Sequence, residues 1–148
     1  MATVVLKERE GERYLPIWVG RPEAIAIAKP LAAVVPPRPL THDLIVRLVD
    51  VSASRVEKMA VTKLHDRTFY AMLWVRVGDR VYEVDARPGD AINLALRMQV
   101  PIFVNPVVFA RASLSPESVL PEAEARYQSI VHTDDEPELD LRSFRSLL

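Results

Sequence analysis

The stretch from residue 55 to residue 85 constrains this chain more than any other. Residues 55–64 are rich in β-branched side chains and alternate through Met59 and Val61, residues 68–77 alternate throughout, and residues 80–85 follow after two more positions. These read as three strands; His65-Asp66-Arg67 is the first turn, and Gly78-Asp79 is a tight-turn dipeptide of two-residue hairpins, across which residues 80–85 should pair back antiparallel. The middle strand places Phe69, Ala71, Leu73, Val75 and Val77 on one side and Tyr70, Met72 and Trp74 on the other. Both sides are apolar, which predicts a strand covered on two faces.

The flanking segments supply candidates for that cover. Residues 3–7 and 13–19 read as a strand hairpin around Arg9-Glu10-Gly11-Glu12. A helix is predicted over 22–34, opened by Pro22 with Glu23 facing the helix dipole, and Pro30 should kink or end it near Lys29. Pro36-Pro37-Arg38-Pro39 makes a stiff extended connector. Thr41 is a good N-cap for a helix over 42–51 whose inner face would hold Leu44, Ile45, Leu48 and Val49. In the helix predicted over 88–99, Ala91, Ile92, Leu94, Ala95, Leu96 and Met98 leave few exposed positions, which marks it as central. A short strand over 101–104 and a cap at Asn105-Pro106 follow. The class is α+β, a single domain of mixed, largely antiparallel sheet packed with helices.

The formal charge of −1, from 19 basic and 20 acidic side chains over 148 residues, conceals a division. Residues 1–114 carry 16 basic and 12 acidic groups, whereas 115–148 carry 3 and 8, which marks a domain and an acidic tail. The tail reads as a Glu-rich helical stretch broken by Pro121, then an acidic linker over 133–140. Leu141, Phe144, Leu147 and Leu148 then form a small amphipathic face to dock on the domain or a second subunit. With 49% apolar and 26% charged residues the chain is of the soluble globular type. The lack of cysteine removes disulfides, thiolate metal sites and thiol nucleophiles, and fits a reducing compartment. No apolar run reaches ~18 residues, and Lys7, Glu8, Arg9 and Glu10 come too early for a signal peptide. The expectation is a cytoplasmic protein without a membrane partner.

One pattern recurs three times, an Arg-Pro followed by an acidic residue and an apolar helical run. It stands at Arg21-Pro22-Glu23, at Arg38-Pro39-Leu40-Thr41-His42-Asp43 and at Arg87-Pro88-Gly89-Asp90. Each copy sets a guanidinium, a carboxylate and free backbone N–H groups at a helix start, a ready place for an anion. Simple capping explains any one copy, since proline starts a helix and a first-turn carboxylate faces its dipole. The second copy adds His42 as an acid-base group, and the third is flanked by Asp85 at a strand end, where open sheets place ligands. Together these are the parts of phosphodiester hydrolysis: carboxylates for Mg²⁺ or Mn²⁺, a base to orient water and arginines to offset charge on phosphorus.

Other residues give less. His65 sits in a turn, where solvated turn chemistry explains it, and His132 lies in the acidic tail without a partner at metal-ligand spacing. Trp18, Phe69, Tyr70 and Trp74 alternate within strands, which reads as core packing ahead of base stacking. No Gly-rich phosphate loop, zincin motif or serine elbow occurs.

The segments Leu15-Pro16-Ile17-Trp18-Val19-Gly20, Arg38-Pro39-Leu40-Thr41-His42-Asp43-Leu44, Thr68-Phe69-Tyr70-Ala71, Val84-Asp85-Ala86-Arg87-Pro88-Gly89-Asp90-Ala91 and Ala95-Leu96-Arg97, followed by Pro101-Ile102, run in one order. In them the chain closely resembles the bifunctional nuclease (BFN) domain family over about residues 4–110. The resemblance implies a compact α+β domain, often a homodimer or higher homo-oligomer, with DNase and RNase activity. Its polar positions fall on Glu23, Arg38, Thr41, His42, Asp43, Asp85, Arg87 and Asp90. The resulting expectation is a nuclease acting on DNA or RNA with little sequence preference and a divalent metal, Mg²⁺ or Mn²⁺. Asp43, Asp85 and Asp90 would hold the metal or orient water, His42 would move protons, and Arg38, Thr41 and Arg87 would bind phosphate. The alternative is a non-catalytic nucleic-acid or anion-binding regulatory domain, and a purely structural subunit would keep the three Arg-Pro segments far apart. Three departures from the family pattern stand out. An additional N-terminal strand is lacking, which would leave a sheet edge open or borrow a partner's strand. Gly89 replaces a usual serine, and Lys29-Pro30 should shorten the first helix.

Overall fold

The computed structural model describes residues 1–119. The predicted helix break at Pro121, the acidic linker and the amphipathic end lie outside the described residues. The elements run β1 (Ala2–Lys7), β2 (Tyr14–Val19), α1 (Arg21–Leu31), α2 (Thr41–Val51), β3 (Ser54–His65), β4 (Thr68–Val77), β5 (Arg80–Ala86), α3 (Pro88–Met98), β6 (Ile102–Val104) and α4 (Pro106–Ala112). β1 and β2 form an antiparallel two-stranded sheet, and the second sheet has the order β5-β4-β3-β6, in which only β3 and β6 run parallel. This is the expected α+β class.

The predicted meander is present with its turns. Asp66 and Arg67 both take positive φ, 46° and 63°, as a two-residue hairpin loop requires, and Gly78 does so at 57°. Met59 and Val61 of β3 and Ala71 and Leu73 of β4 point into one core with Leu15 and Ile17 of β2, Ile27 of α1, Ile92 and Ala95 of α3 and Val108 of α4. α3 is the centre of that core, since Pro88, Gly89, Ala91, Ile92, Asn93, Leu94 and Ala95 are all buried. The packed chain continues past the charge boundary at 114/115: Leu114 bridges to Tyr14, and Val119 is buried.

Several expectations are corrected. Cover on both faces of β4 fails among the described residues: the side holding Tyr70 and Trp74 has no helix on it, and Tyr70 is 39% exposed. Trp18, at 49%, is likewise no core residue. On α2 the inner face is His42, Ile45, Val46 and Val49, while Leu44 and Leu48 face outward. Thr41 is the first residue of that helix and not its cap. Leu40 takes the extended cap conformation, and Asp43 Oδ2 accepts the Leu40 N–H at 2.8 Å, half of a capping box that a leucine side chain cannot reciprocate. Asn105 does cap α4, accepting from the Val107 N–H at 2.9 Å. α1 runs two residues past Lys29 and keeps Pro30 in its last turn. It ends in paired bonds from Ala33 N–H to Pro30 O and from Val34 N–H to Lys29 O, with Ala33 left-handed at φ 54°.

Candidate active site

The three Arg-Pro segments converge through the N-termini of α1, α2 and α3. Close approach begins at Gly89: a Cβ there would meet Val19 Cγ1 at 3.1 Å and Glu23 Cβ at 3.3 Å, so glycine lets the first turn of α3 settle on the start of α1. Asn93, one turn on and fully buried, fixes that contact by donating from Nδ2 to Glu23 O at 3.1 Å and Gly89 O at 2.9 Å. Arg87, the N-cap residue of α3, then reaches Glu23 Oε1 through Nη2 at 2.5 Å and Asp90 Oδ2 through Nε at 2.7 Å. The other oxygen of Asp90 stands 3.1 Å from His42 Nε2 on α2. Glu23, Arg87, Asp90 and His42 thus form one chain of contacts, with a side chain from each Arg-Pro segment.

Electrostatics favour the charged forms of Asp90 and Arg87. Burial pushes the Asp90 carboxyl up, but the hydrogen bonds from Arg87 and His42 and the charge of Arg87 outweigh it and hold the group below its ordinary 3.8. Arg87 is pushed up, first by its bond to Asp90 and then by the charges of Asp90 and Glu23. With Asp90 ionised and accepting, the hydrogen-bond network assigns a proton to His42 Nε2, which leaves Nδ1 as the nitrogen free of Asp90. His42 is 8% exposed, whereas the Arg87 side chain is 72% exposed and open to a ligand.

A second constellation supports the first. Arg97 donates from Nε to Asp43 Oδ1 at 2.7 Å, from Nη1 to Asn93 Oδ1 at 2.9 Å and from Nη2 to Ala26 O at 3.2 Å. That last carbonyl is the one Pro30, lacking an N–H, cannot serve. Asp43 is also held below 3.8: burial raises it, and the hydrogen bonds from Arg97 and Leu40 N–H prevail. Neither Arg97 nor Asn93 stood among the candidate residues, although both are the polar positions on the face of α3 that also bears Asp90. A polar side chain in a helix apolar on nearly every side must find buried partners.

The remaining candidates stand apart. Asp85 pairs across to Met72 and, by strand alternation from Ala86 and Ala71, points to the sheet face away from the helices. Arg38 and Thr41 are exposed, and Arg38 makes no ion pair among the described residues. Asp43, Asp85 and Asp90 therefore do not converge, and among the described residues no three His, Asp or Glu side chains are grouped to hold a metal. The expected Mg²⁺ or Mn²⁺ seat is not gathered by these residues, because Asp85 faces the other side of the sheet and the charges of Asp43 and Asp90 are already matched by Arg97 and Arg87. A cleft of about 290 Å³ lined by Ala53, Ser54, Arg55, Arg76 and Gly78 lies at the far end of β3 and β4 and shares no residue with the cluster. His65 is exposed beside Asp66, as its turn position implied.

Fold and cluster define an α+β domain that gathers paired guanidinium, carboxylate and imidazole groups at three helix starts. Comparison with known proteins gives this class its family. The sequence model described as "Bifunctional nuclease domain" matches residues 4–117, and the chain belongs to that family. An uncharacterized protein of Mycobacterium tuberculosis is 46% identical over 111 residues, covering 75% of this chain and 66% of its own length. The "Bifunctional nuclease" of Oryza minuta is 26% identical over 151 residues, 95% of this chain and 46% of that protein. "Bifunctional nuclease 2" of Arabidopsis thaliana is 32% identical over 108 residues, 70% and 33% respectively. The chain thus spans about two thirds of the bacterial relative and under half of the plant ones. No helix among the described residues is long and apolar enough to cross a membrane.

Proposed function

We propose that this chain is a nuclease that hydrolyses phosphodiester bonds in DNA or RNA with little sequence preference, and that the cluster of His42, Asp90, Arg87 and Glu23 carries the reaction. The observation behind this reading is the Asp90 carboxylate shared between His42 and Arg87 in a member of a nuclease-named family. Asp90 orients the imidazole so that Nδ1 takes a proton from water or a sugar hydroxyl, and the same carboxylate stabilises the imidazolium that results. Arg87 meets the phosphate as a forked donor, held in place by Glu23. Arg38 and Thr41, exposed at the start of α2, add a second cation and a hydroxyl for the substrate. Proton transfer and charge neutralisation rest on side chains alone here.

The test is cleavage of DNA and of RNA, with and without EDTA, by the wild type and three variants. His42→Ala and Asp90→Asn should each lose about 100-fold or more in rate, and Asp85→Asn should stay within about twofold. Activity that survives EDTA matches proton transfer by His42 without a metal, whereas loss in EDTA moves the chemistry to metal-held groups. Equal cleavage by wild type and His42→Ala ends the assignment. The complete pairing of Asp43 and Asp90 favours, as a second reading, a non-catalytic nucleic-acid or anion-binding regulatory domain. Binding that falls steeply with salt, without turnover, would select it.

A further inference from the structure

The face of the second sheet turned away from the helices holds an arrangement that the cluster does not use. Strand alternation and register set Tyr70, Met72, Trp74 and Arg76 of β4 there, with Lys63, Ala60 and Lys58 opposite on β3 and Phe103 beside Ala60 on β6. Among the described residues nothing covers this face, since the helices and the β1-β2 sheet share the core on the opposite side. Tyr70 is 39% exposed and Phe103 52%. Lys58 Nζ lies 4.5 Å from the Trp74 ring centre and 6.0 Å from that of Phe103, and Lys63 Nζ lies 5.6 Å from that of Tyr70. Of the carboxylates on this face, Glu57 holds Arg76 and Arg55 and Glu83 accepts the Trp74 Nε1–H at 3.1 Å, while Asp85, beside Met72 at the edge strand, has no cation partner among the described residues. Lys58 and Lys63 have no carboxylate partner among the described residues.

We propose that this face binds single-stranded nucleic acid, with bases stacked on Tyr70, Trp74 and Phe103 and phosphates held by Lys58 and Lys63. Tyr70 and Trp74 stand about 13 Å apart along β4, and Phe103 lies two strands away at about 10 Å, so the rings are spread over one four-stranded sheet, the kind of platform on which two or three splayed bases stack. Tyr70 and Phe103 are exposed and Trp74 is half-buried beneath Lys58, so a base stacks on Trp74 as Lys58 turns from the ring to a phosphate; only unpaired bases can stack this way, and a duplex has no equivalent mode. An apolar protein surface would have to strip water from both ammonium groups without returning a partner. The register also gives a direction. Phe103, Ala60, Met72 and Asp85 form one row across the sheet, and from Asp85 the chain needs only two residues, at most about 7 Å, to reach Arg87. A strand lying along that row passes round the end of β5 toward the cluster, a step that rests on the nuclease reading.

The experiment uses the full chain carrying Trp18→Phe, which leaves Trp74 as the one tryptophan, and His42→Ala to stop cleavage. Thymidine homopolymer should quench Trp74 fluorescence, and a duplex of equal length should not. Tyr70→Ala and Phe103→Ala should each weaken binding about fivefold or more, and the pair Lys58→Ala and Lys63→Ala should lower the salt slope by about 1.4. Unchanged affinity in the ring variants with an intact circular dichroism spectrum overturns the proposal, as does equal affinity for duplex. A change of oligomeric mass in Phe103→Ala would assign the face to a second copy and overturn it too. Ring-dependent binding by a wild type that cleaves nothing removes the nuclease reading alone. Cleavage with ring-independent binding removes this proposal alone.

Discussion

Asp43 and Arg97 meet at 2.7 Å with the guanidinium side chain 8% exposed, so the carboxylate is the counter-charge of a buried cation. Asp43→Asn leaves a buried arginine without its counter-charge, an arrangement that costs about 3 kcal/mol at neutral pH. The depressed carboxyl of Asp43 means that the unfolded chain binds the proton more readily, so the stabilisation is full above the ordinary value of 3.8 and is lost as pH falls through the lower folded one. Urea unfolding of wild type and Asp43→Asn should therefore show the widest gap at pH 7 and a closing gap below 3.8; a gap constant with pH would contradict the pairing. At this scale the sequence was legible where chemistry and local position coincide. His42, Asp90 and Arg87 could be singled out because each sits at a helix start with free N–H groups. Asp85 misled for a definite reason. Its place at a strand end was visible, but the face it points to depends on register with β4, and a one-residue difference reverses that face. Arg97 escaped because its partners, Asp43 and Ala26, are 54 and 71 residues away.

Elements were legible in proportion to how local their causes are. The meander followed from alternation and two-residue turns, and its strands lie within a residue or so of expectation. Which faces are covered did not follow, because cover is supplied by distant segments: Leu44 and Leu48 look inward by spacing, yet α2 turns His42, Ile45, Val46 and Val49 to the core. Pro30 shows the same limit. Its missing N–H predicts a break, but Arg97 from α3 takes the Ala26 carbonyl that the proline leaves, and the helix continues to Leu31. Pro30→Ala should restore the intrahelical bond and stabilise the fold by about 1 kcal/mol, less than the full helix-interior value because the site is in the last turn. In that background Arg97→Ala should cost about 0.5–1 kcal/mol less than in the wild type, since the Ala26 carbonyl no longer loses its donor. A double-mutant cycle from urea unfolding measures this coupling, and strict additivity would show that Arg97 does not substitute for the missing amide.

Over the whole molecule, the near-zero formal charge resolves into two opposed parts. Residues 120–148 hold seven of the 20 acidic side chains and three of the 19 basic ones, so the described residues alone carry a net +3. The cations open to a phosphate, Arg87 at the cluster and Lys58 and Lys63 on the sheet, all lie in that basic part. An acidic stretch covalently joined to a basic surface is expected to compete with a polyanion for it, since the join raises its effective concentration there. Removing residues 120–148 should therefore strengthen binding to a single-stranded homopolymer by about three- to tenfold at 50 mM salt, because both the local competition and the net repulsion are lifted. The cut is placed after Val119 because that side chain is buried, and a cut at 114 would remove part of the core along with the charge. At about 1 M salt, where the screening length is about 3 Å, the two proteins should bind alike, since only electrostatics distinguishes them. Equal affinity at low salt, from a truncated chain whose circular dichroism matches the full one, would mean that the acidic segment leaves the basic surface open and serves solubility alone.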